Sequence, residues 1–137
     1  MGVAAALVFS NIGAAYGTAK SSIGIANLGV VSPNMIFLAL IPIIMAGILG
    51  IYGLIVGVLM AAKSDKAEPK SGFANLGAGL CCGLSSLASG LAIGVAGEAG
   101  VKAFAQTEKV FVSMILVLIF AEAIGLYGLI VAIIMAV

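Results

Sequence analysis

Polar residues in this chain are gathered into three short stretches, and the apolar runs between them are longer than most helices of globular domains. The runs cover Val3 to Leu28, Met35 to Ala62, Phe73 to Gly97 and Val110 to Val137. Each exceeds the roughly 20 residues an α-helix needs to cross a hydrocarbon layer about 30 Å thick. Backbone inside lipid must satisfy its own N–H and C=O groups, so the pattern predicts an all-α integral membrane fold of four spanning helices. The interruptions have the composition of connectors: Gly29 to Asn34 with Ser32-Pro33, Lys63 to Ser71 with Pro69, and Glu98 to Lys109. No cationic segment precedes the first run, which continues past the length of a signal-peptide core, so it reads as the start of the first spanning helix. Pro42 lies inside the second run, where it removes a backbone donor and should bend the helix.

The pattern repeats. Gly50-Ile51-Tyr52-Gly53-Leu54-Ile55-Val56 returns at an offset of 75 as Gly125-Leu126-Tyr127-Gly128-Leu129-Ile130-Val131. In the first helix of each half, Phe9-Ser10-Asn11-Ile12-Gly13-Ala14 matches Phe73-Ala74-Asn75-Leu76-Gly77-Ala78, and Ser21-Ser22 matches Ser85-Ser86, at an offset of 64. The two offsets differ, and their difference makes the connector inside the second hairpin longer than that inside the first by 75 − 64 = 11. The predicted organisation is a first helical hairpin over residues 1–62, a connector over 63–72 and a second hairpin over 73–137. Duplication of a two-span unit keeps its orientation, so the repeats are parallel.

The first and third helices carry small residues at helical spacing: Ala6, Ser10, Gly13, Gly17, Ser21 and Gly24 in one, Gly79, Gly83, Ser86, Gly90, Gly94 and Gly97 in the other. Small side chains let helices approach closely in lipid. Glycine inside a helix costs up to about 1 kcal/mol relative to alanine, so a density this high needs a packing reason. An inner ring of helices packed through Gly13, Gly17, Gly83, Gly90 and Gly94 is one such reason, and close packing within a single four-helix bundle is the other. The second and fourth helices lack the stripe and are rich in Ile, Leu, Val and Phe, as lipid-facing helices would be.

Composition narrows the chemistry. The chain is 64% hydrophobic and 8% charged, with net charge +1 and no His, Trp or Arg. Six scattered lysines cannot assemble a nucleic-acid surface. Without histidine there is neither a Ser/His-type triad nor a credible metal site, and no cofactor is implied. The adjacent Cys81 and Cys82 point about 100° apart on a helix and read as small packing residues. One ionisable group stands out. Glu122 lies near the middle of the run from Val110 to Val137, and a rise of about 1.5 Å per residue puts it close to the bilayer midplane. A charge there costs about 2.5–3.5 kcal/mol even on a lenient scale, which makes such a residue a functional candidate by default. Glu98 and Glu108 belong to a connector, with Glu98 and Lys102 at salt-bridging spacing.

Desolvation favours the neutral acid, so Glu122 should hold its proton in lipid and release it where another chain supplies a positive charge. The single lysine within a span, Lys20, lies near its end and should snorkel to the interface. At the offset of 75, Glu122 corresponds to Gly47, so one hairpin of the two carries the acid. Gly47 and Gly125 leave room around the carboxyl, and Tyr52 and Tyr127 are the nearest hydroxyls able to bond it. Sodium is a weaker cargo, because Ala46, Gly47, Ile48 and Leu49 at the matching level offer no side-chain oxygen.

Gly13-Ala14-Ala15-Tyr16-Gly17-Thr18-Ala19-Lys20-Ser21, Ile41-Pro42-Ile43-Ile44-Met45-Ala46-Gly47, Leu91-Ala92-Ile93-Gly94 and Leu118 to Gly128 around Glu122 resemble the proteolipid, or c-type subunit, of V-type ATPases. The resemblance extends over nearly the whole chain, although similar proteins usually have more residues before the first helix. It implies a c-ring of neighbouring c-type subunits in membrane lipid, turned through central-stalk subunits by ATP hydrolysis on other subunits, in an endomembrane such as that of the vacuole. It further implies that Glu122 is the proton-translocating residue, discharged by an Arg on the a-type stator subunit, and that residues 29–34 and 98–109 face the cytosol. Lysines do not decide the topology, because Lys20, Lys102 and Lys109 balance Lys63, Lys66 and Lys70. The alternatives fit less well. A small proton-coupled antiporter would carry its acid in the first helix among aromatic residues, and a non-transporting membrane bundle would not need Glu122.

Overall fold

The computed structural model describes residues 1–62 and 69–136 of the chain. Helix α1 (Gly2–Val31) stops at Ser32, which stands before Pro33 and is pushed out of the helical region, with φ −143° and ψ 79°. A 3₁₀ turn over Pro33–Met35 leads to α2 (Ile36–Ala39) and, past Leu40, to α3 (Ile41–Ala62). The break at Leu40 is the bend expected from Pro42, whose ring clashes with the carbonyl one turn earlier. Helix α4 (Pro69–Gln106) is followed by a 3₁₀ turn over Glu108–Val110 and by α5 (Phe111–Ala136). Among the described residues, four stretches, 2–31, 33–62, 72–106 and 108–136, are long and apolar enough to cross a membrane. Residues 63–68 of the expected connector, with Lys63 and Lys66, lie outside the described residues, and the chain is already helical at Pro69.

Two expectations from the sequence are corrected. Glu98 to Lys109 is not a loop, because α4 continues through Gln106. Its last turns bury Val101 and Phe104, and the Lys102 Nζ lies 2.9 Å from the Glu98 Oε1 one turn away. Hydropathy marks where lipid contact weakens, whereas the helix persists for as long as it has an apolar face to bury.

The second correction concerns the repeat. The offset is 75 in the first helix of each half as well as in the second. Val31 and Gln106 end their helices, and Ser32 and Thr107 both leave the helical region, with φ −143° and −150°. Their N–H groups donate to the Leu28 carbonyl at 2.6 Å and the Ala103 carbonyl at 3.0 Å. Packing follows the same rule: Gly53 abuts Ser10 and the Ala6 carbonyl, as Gly128 abuts Ser85 and the Cys81 carbonyl. Gly50 faces Ala14, as Gly125 faces Ser89. The connectors inside the two hairpins are therefore equal in length. The match at 64 is slipped by 75 − 64 = 11, and a period of 11 is three helical turns of about 3.67 each. A stripe of small residues shifted by three turns falls back on its own face, which is why the slipped register looks genuine.

The most extensive interface joins α1 to α4, with α3 packed on α1 and α5 on α4. Gly13, Gly17, Gly83, Gly90 and Gly94 all lie on this central seam within the one chain. A Cβ on Gly13 would stand 2.5 Å from the Ser86 carbonyl oxygen, and one on Gly83 would stand 2.6 Å from that of Ala5. Close packing inside a single bundle thus accounts for these glycines without any neighbouring molecule. Cys82 is buried between Ser10 and Ser86, and the Cys81 thiol lies 3.7 Å from the Gly128 carbonyl, so both cysteines are packing residues. Leu28, Leu49, Ile93, Phe104 and Leu118 fill the core towards the turns, and Ala6, Val56, Met60, Ala78 and Ala132 fill it towards the opposite end.

Candidate functional site

Glu122 is carried near the middle of α5, between Phe111 and Ala136. With a rise of about 1.5 Å per residue it stands about 16 Å from one end of the helix and about 21 Å from the other. No proline interrupts α5, so the carboxyl is presented from a rigid element. The Glu122 backbone sits at the margin between the packed and the outward faces. Ala121 and Gly125 beside it are buried, while Phe120 and Ile124 are exposed. The side chain turns inward. Both carboxyl oxygens are sealed from solvent, and neither makes a hydrogen bond of standard geometry.

The hydroxyl facing this carboxyl is that of Tyr52, on α3. By the repeat, Gly47 rather than Tyr52 occupies the depth of Glu122. Helical side chains lean towards the helix N-terminus, however, and a tyrosine is long enough to reach back by a turn. Tyr127 is not brought to the carboxyl, contrary to expectation. Five residues carry the helix about 140° round from Glu122, and Tyr127 is 65% exposed. Gly47 also faces outward, where a Cβ would meet nothing within 4 Å. The room beside Gly125 is taken up by Leu49 Cδ2, 2.7 Å from its Cβ position, and by Ser89 at 3.4 Å.

Ser89 has no counterpart among the residues that the sequence singles out. Its hydroxyl donates to the Ala121 carbonyl at 2.6 Å, buried, from α4 to the residue before Glu122. This cross-link between helices fixes the stretch of α5 that bears the acid. A signal exists: at the offset of 75, Ser89 stands where the first half has Ala14, so the half that carries the acid also has this hydroxyl. The lysines are placed elsewhere. Lys102 and, at 3.9 Å, Lys20 both lie against Glu98, so Lys20 meets a carboxylate. Lys109 is in the 3₁₀ turn before α5.

The arrangement suits a group that stays neutral while sealed and becomes charged only when turned outward. If the Tyr52 hydroxyl steadies the carboxyl, Tyr52→Phe should leave the helices folded and slow proton turnover several-fold. That corresponds to the roughly 0.5–1.5 kcal/mol net of one hydrogen bond. Transport assays on membranes containing equal amounts of the two proteins would measure it, and an unchanged rate would remove Tyr52 from the site.

Comparison with known proteins places this geometry in context. A family model described as the C subunit of ATP synthase matches residues 1–60 and again 76–135, two segments themselves displaced by 75. The chain is 57% identical over 136 residues to a V-type proton ATPase 16 kDa proteolipid of Nephrops norvegicus, covering 97% of this chain and 86% of that protein. It is 57% identical over 137 residues to the 16 kDa proteolipid of Bos taurus, covering 99% and 88%. To the 16 kDa proteolipid c 2 of the Caenorhabditis elegans V-type proton ATPase it is 52% identical over 139 residues, covering 98% and 86%.

Proposed function

The chain belongs to the family of V-type proton ATPase proteolipids, and we propose that it is the proton-carrying rotor subunit of such a pump, with Glu122 as the carrier. The observation that supports this most directly is the sealed carboxyl of Glu122 midway along α5. In the proposed cycle, Glu122 is protonated and neutral while it faces Tyr52, and in that form it crosses the lipid without the cost of a buried charge. Rotation about its side-chain bonds turns the carboxyl to the outward face beside Phe120 and Ile124 without moving the backbone. There an arginine of the a-type stator subunit stabilises the carboxylate, the proton leaves to one side of the membrane, and a new proton enters from the other.

Neighbouring c-type subunits close the ring, and central-stalk subunits couple it to ATP hydrolysed elsewhere in the complex. This chain thus moves protons without catalysing a reaction, in an acidifying endomembrane such as the vacuole's. Gly13, Gly17, Gly83, Gly90 and Gly94, on the α1–α4 seam, would then lie on the inner wall of the ring, with α3 and α5 outside.

A hydrophobic carbodiimide tests the carrier, because it attacks protonated carboxyls from the apolar phase. It should label Glu122, spare Glu98 and Glu108, and stop ATP-driven acidification in proportion to the labelling, as read by peptide mass spectrometry beside a pumping assay. Full labelling of Glu122 with pumping intact would rule it out.

A further inference from the structure

The Glu122 carboxyl makes no hydrogen bond of standard geometry in its sealed position, so the side chain itself does little to fix the direction in which α5 presents it. The face of α5 around the acid offers little grip either. Ala121, Gly125 and Gly128 are buried there, and such small residues let helices approach closely without interlocking as branched side chains do. One bond stands out on this smooth stretch. The Ser89 hydroxyl, fully buried, donates across the boundary between helices to the Ala121 carbonyl at 2.6 Å. A helical serine often returns its hydroxyl to its own helix, as Ser22 does to the Thr18 carbonyl at 2.7 Å. Ala121 lies in unbroken α5, so one lone pair of its carbonyl takes the Gly125 amide and Ser89 uses the other. The Cys81 thiol reaches the Gly128 carbonyl further along the same boundary at 3.7 Å, but a thiol is a weak donor.

The repeat supplies a comparison inside the chain. At the offset of 75, Ser89, Ala121 and Gly125 stand where the first hairpin has Ala14, Ala46 and Gly50. A Cβ on Gly50 would lie 3.7 Å from that of Ala14, and one on Gly125 would lie 3.4 Å from that of Ser89. The same approach of two helices is thus built in the first half without a hydroxyl. A hairpin does not need the bond in order to fold, and the half that has it is the half that carries the acid.

We infer that Ser89 is a positioning residue for the proton carrier: its hydroxyl pins α5 to α4 one residue before Glu122, so that the carboxyl turns outward by rotation of its own side chain while the helix stays in place. The inference rests on the rotor reading and adds to it the group that keeps the carrier's backbone still. A swivel of α5 would draw the Ala121 carbonyl away from Ser89 and leave a hydroxyl unpaired where no water can replace the partner. Held in this way, the acid meets the stator at the same depth and direction on every pass. The hydroxyl is committed to the Ala121 carbonyl, so Ser89 acts through α5 and not as a proton donor.

Substitutions in the assembled complex, in membranes lacking any other c-type subunit, test the role. Ser89→Ala leaves the Ala121 carbonyl bonded within its own helix, so the variant should assemble and melt close to the parent. Its Glu122 should react with a hydrophobic carbodiimide faster by roughly 2-fold to 10-fold, the span of one net hydrogen bond, because a swivelling α5 brings the carboxyl to the lipid more often. ATP-driven acidification should slow by a similar factor. Ser89→Thr, which keeps the hydroxyl, should restore both rates, and Ala14→Ser, which adds a hydroxyl at the matching position of the acid-free half, should change neither. Parent rates of labelling and pumping in Ser89→Ala overturn the inference. A change that Ser89→Thr does not reverse, that Ala14→Ser reproduces, or that comes with a melting temperature well below the parent's overturns it as well, since each marks packing rather than the bond. All of these outcomes leave the rotor reading standing. That reading fails, and the role of Ser89 with it, if complete labelling of Glu122 in the unsubstituted protein leaves pumping intact.

Discussion

Replacing Glu122 by glutamine is expected to abolish proton transport while leaving the protein folded and assembled. Glutamine keeps the length and polarity of the neutral acid, so the space facing Tyr52 remains filled. Its amide oxygen can accept from the Tyr52 hydroxyl as the neutral acid can, so the contact facing Tyr52 is kept. What disappears is the titrating proton. Transport in membranes lacking any other c-type subunit should fall to background, at least 100-fold below the unsubstituted protein, with equal amounts of assembled complex on native gels. Glu122→Asp should keep partial activity, since it titrates but stops one methylene short. Normal acidification by Glu122→Gln would leave the rotor without its carrier.

The second large effect is expected on the central seam. At Gly90 a Cβ would collide with the backbone of Gly13, its carbonyl oxygen above all. Backbone cannot swing aside as the end of a side chain can, so α1 and α4 would have to separate along the interface on which α3 and α5 also rest. Overpacking of this kind costs about 1–3 kcal/mol and occasionally more. Gly90→Leu belongs at or beyond the upper end, because the obstacle is main chain on a membrane seam that depends on close van der Waals contact. The variant should accumulate poorly in membranes, and any that is purified should melt well below the parent. Gly29→Ala is the matched control. Its Cβ would meet only the end of the Ile36 side chain at 3.6 Å, and its stability should stay within about 1 kcal/mol of the parent. If Gly90→Leu melts with Gly29→Ala, the seam is not the support described.

These two sites differ in how they could be known. Four spanning helices, the bend before Pro42 and the singular position of Glu122 are all legible in the sequence, because each rests on a local quantity. Hydropathy over about 20 residues decides whether a segment can enter lipid, and one acid in such a segment is conspicuous whatever surrounds it. The fourfold plan needs no tertiary information for the same reason: every span satisfies its own backbone.

Questions of register and facing need the fold. The true offset in the first helix of each half is hidden by a near-identical one three turns away, and only the contacts of Ser10 with Gly53 and of Ser85 with Gly128 separate the two. The two tyrosines stand in the same local sequence, Gly-Ile-Tyr-Gly and Gly-Leu-Tyr-Gly, yet Tyr52 meets the acid and Tyr127 faces outward. The first hairpin has the second on that side, and the second has nothing there within the chain. The end of α4 lies beyond its expected place because charge weakens a helix's claim on lipid without weakening its hydrogen bonds, and the buried Val101 and Phe104 carry it on to Gln106. Residue order alone was enough to say which segments are long and apolar enough to enter the membrane and which of them holds an acid near its middle. Which hydroxyl faces that side chain, and what seals it, came only with the packed helices. A contact between helices depends on how far each is slid and turned against the next, and residue composition repeats too closely along these helices to specify either.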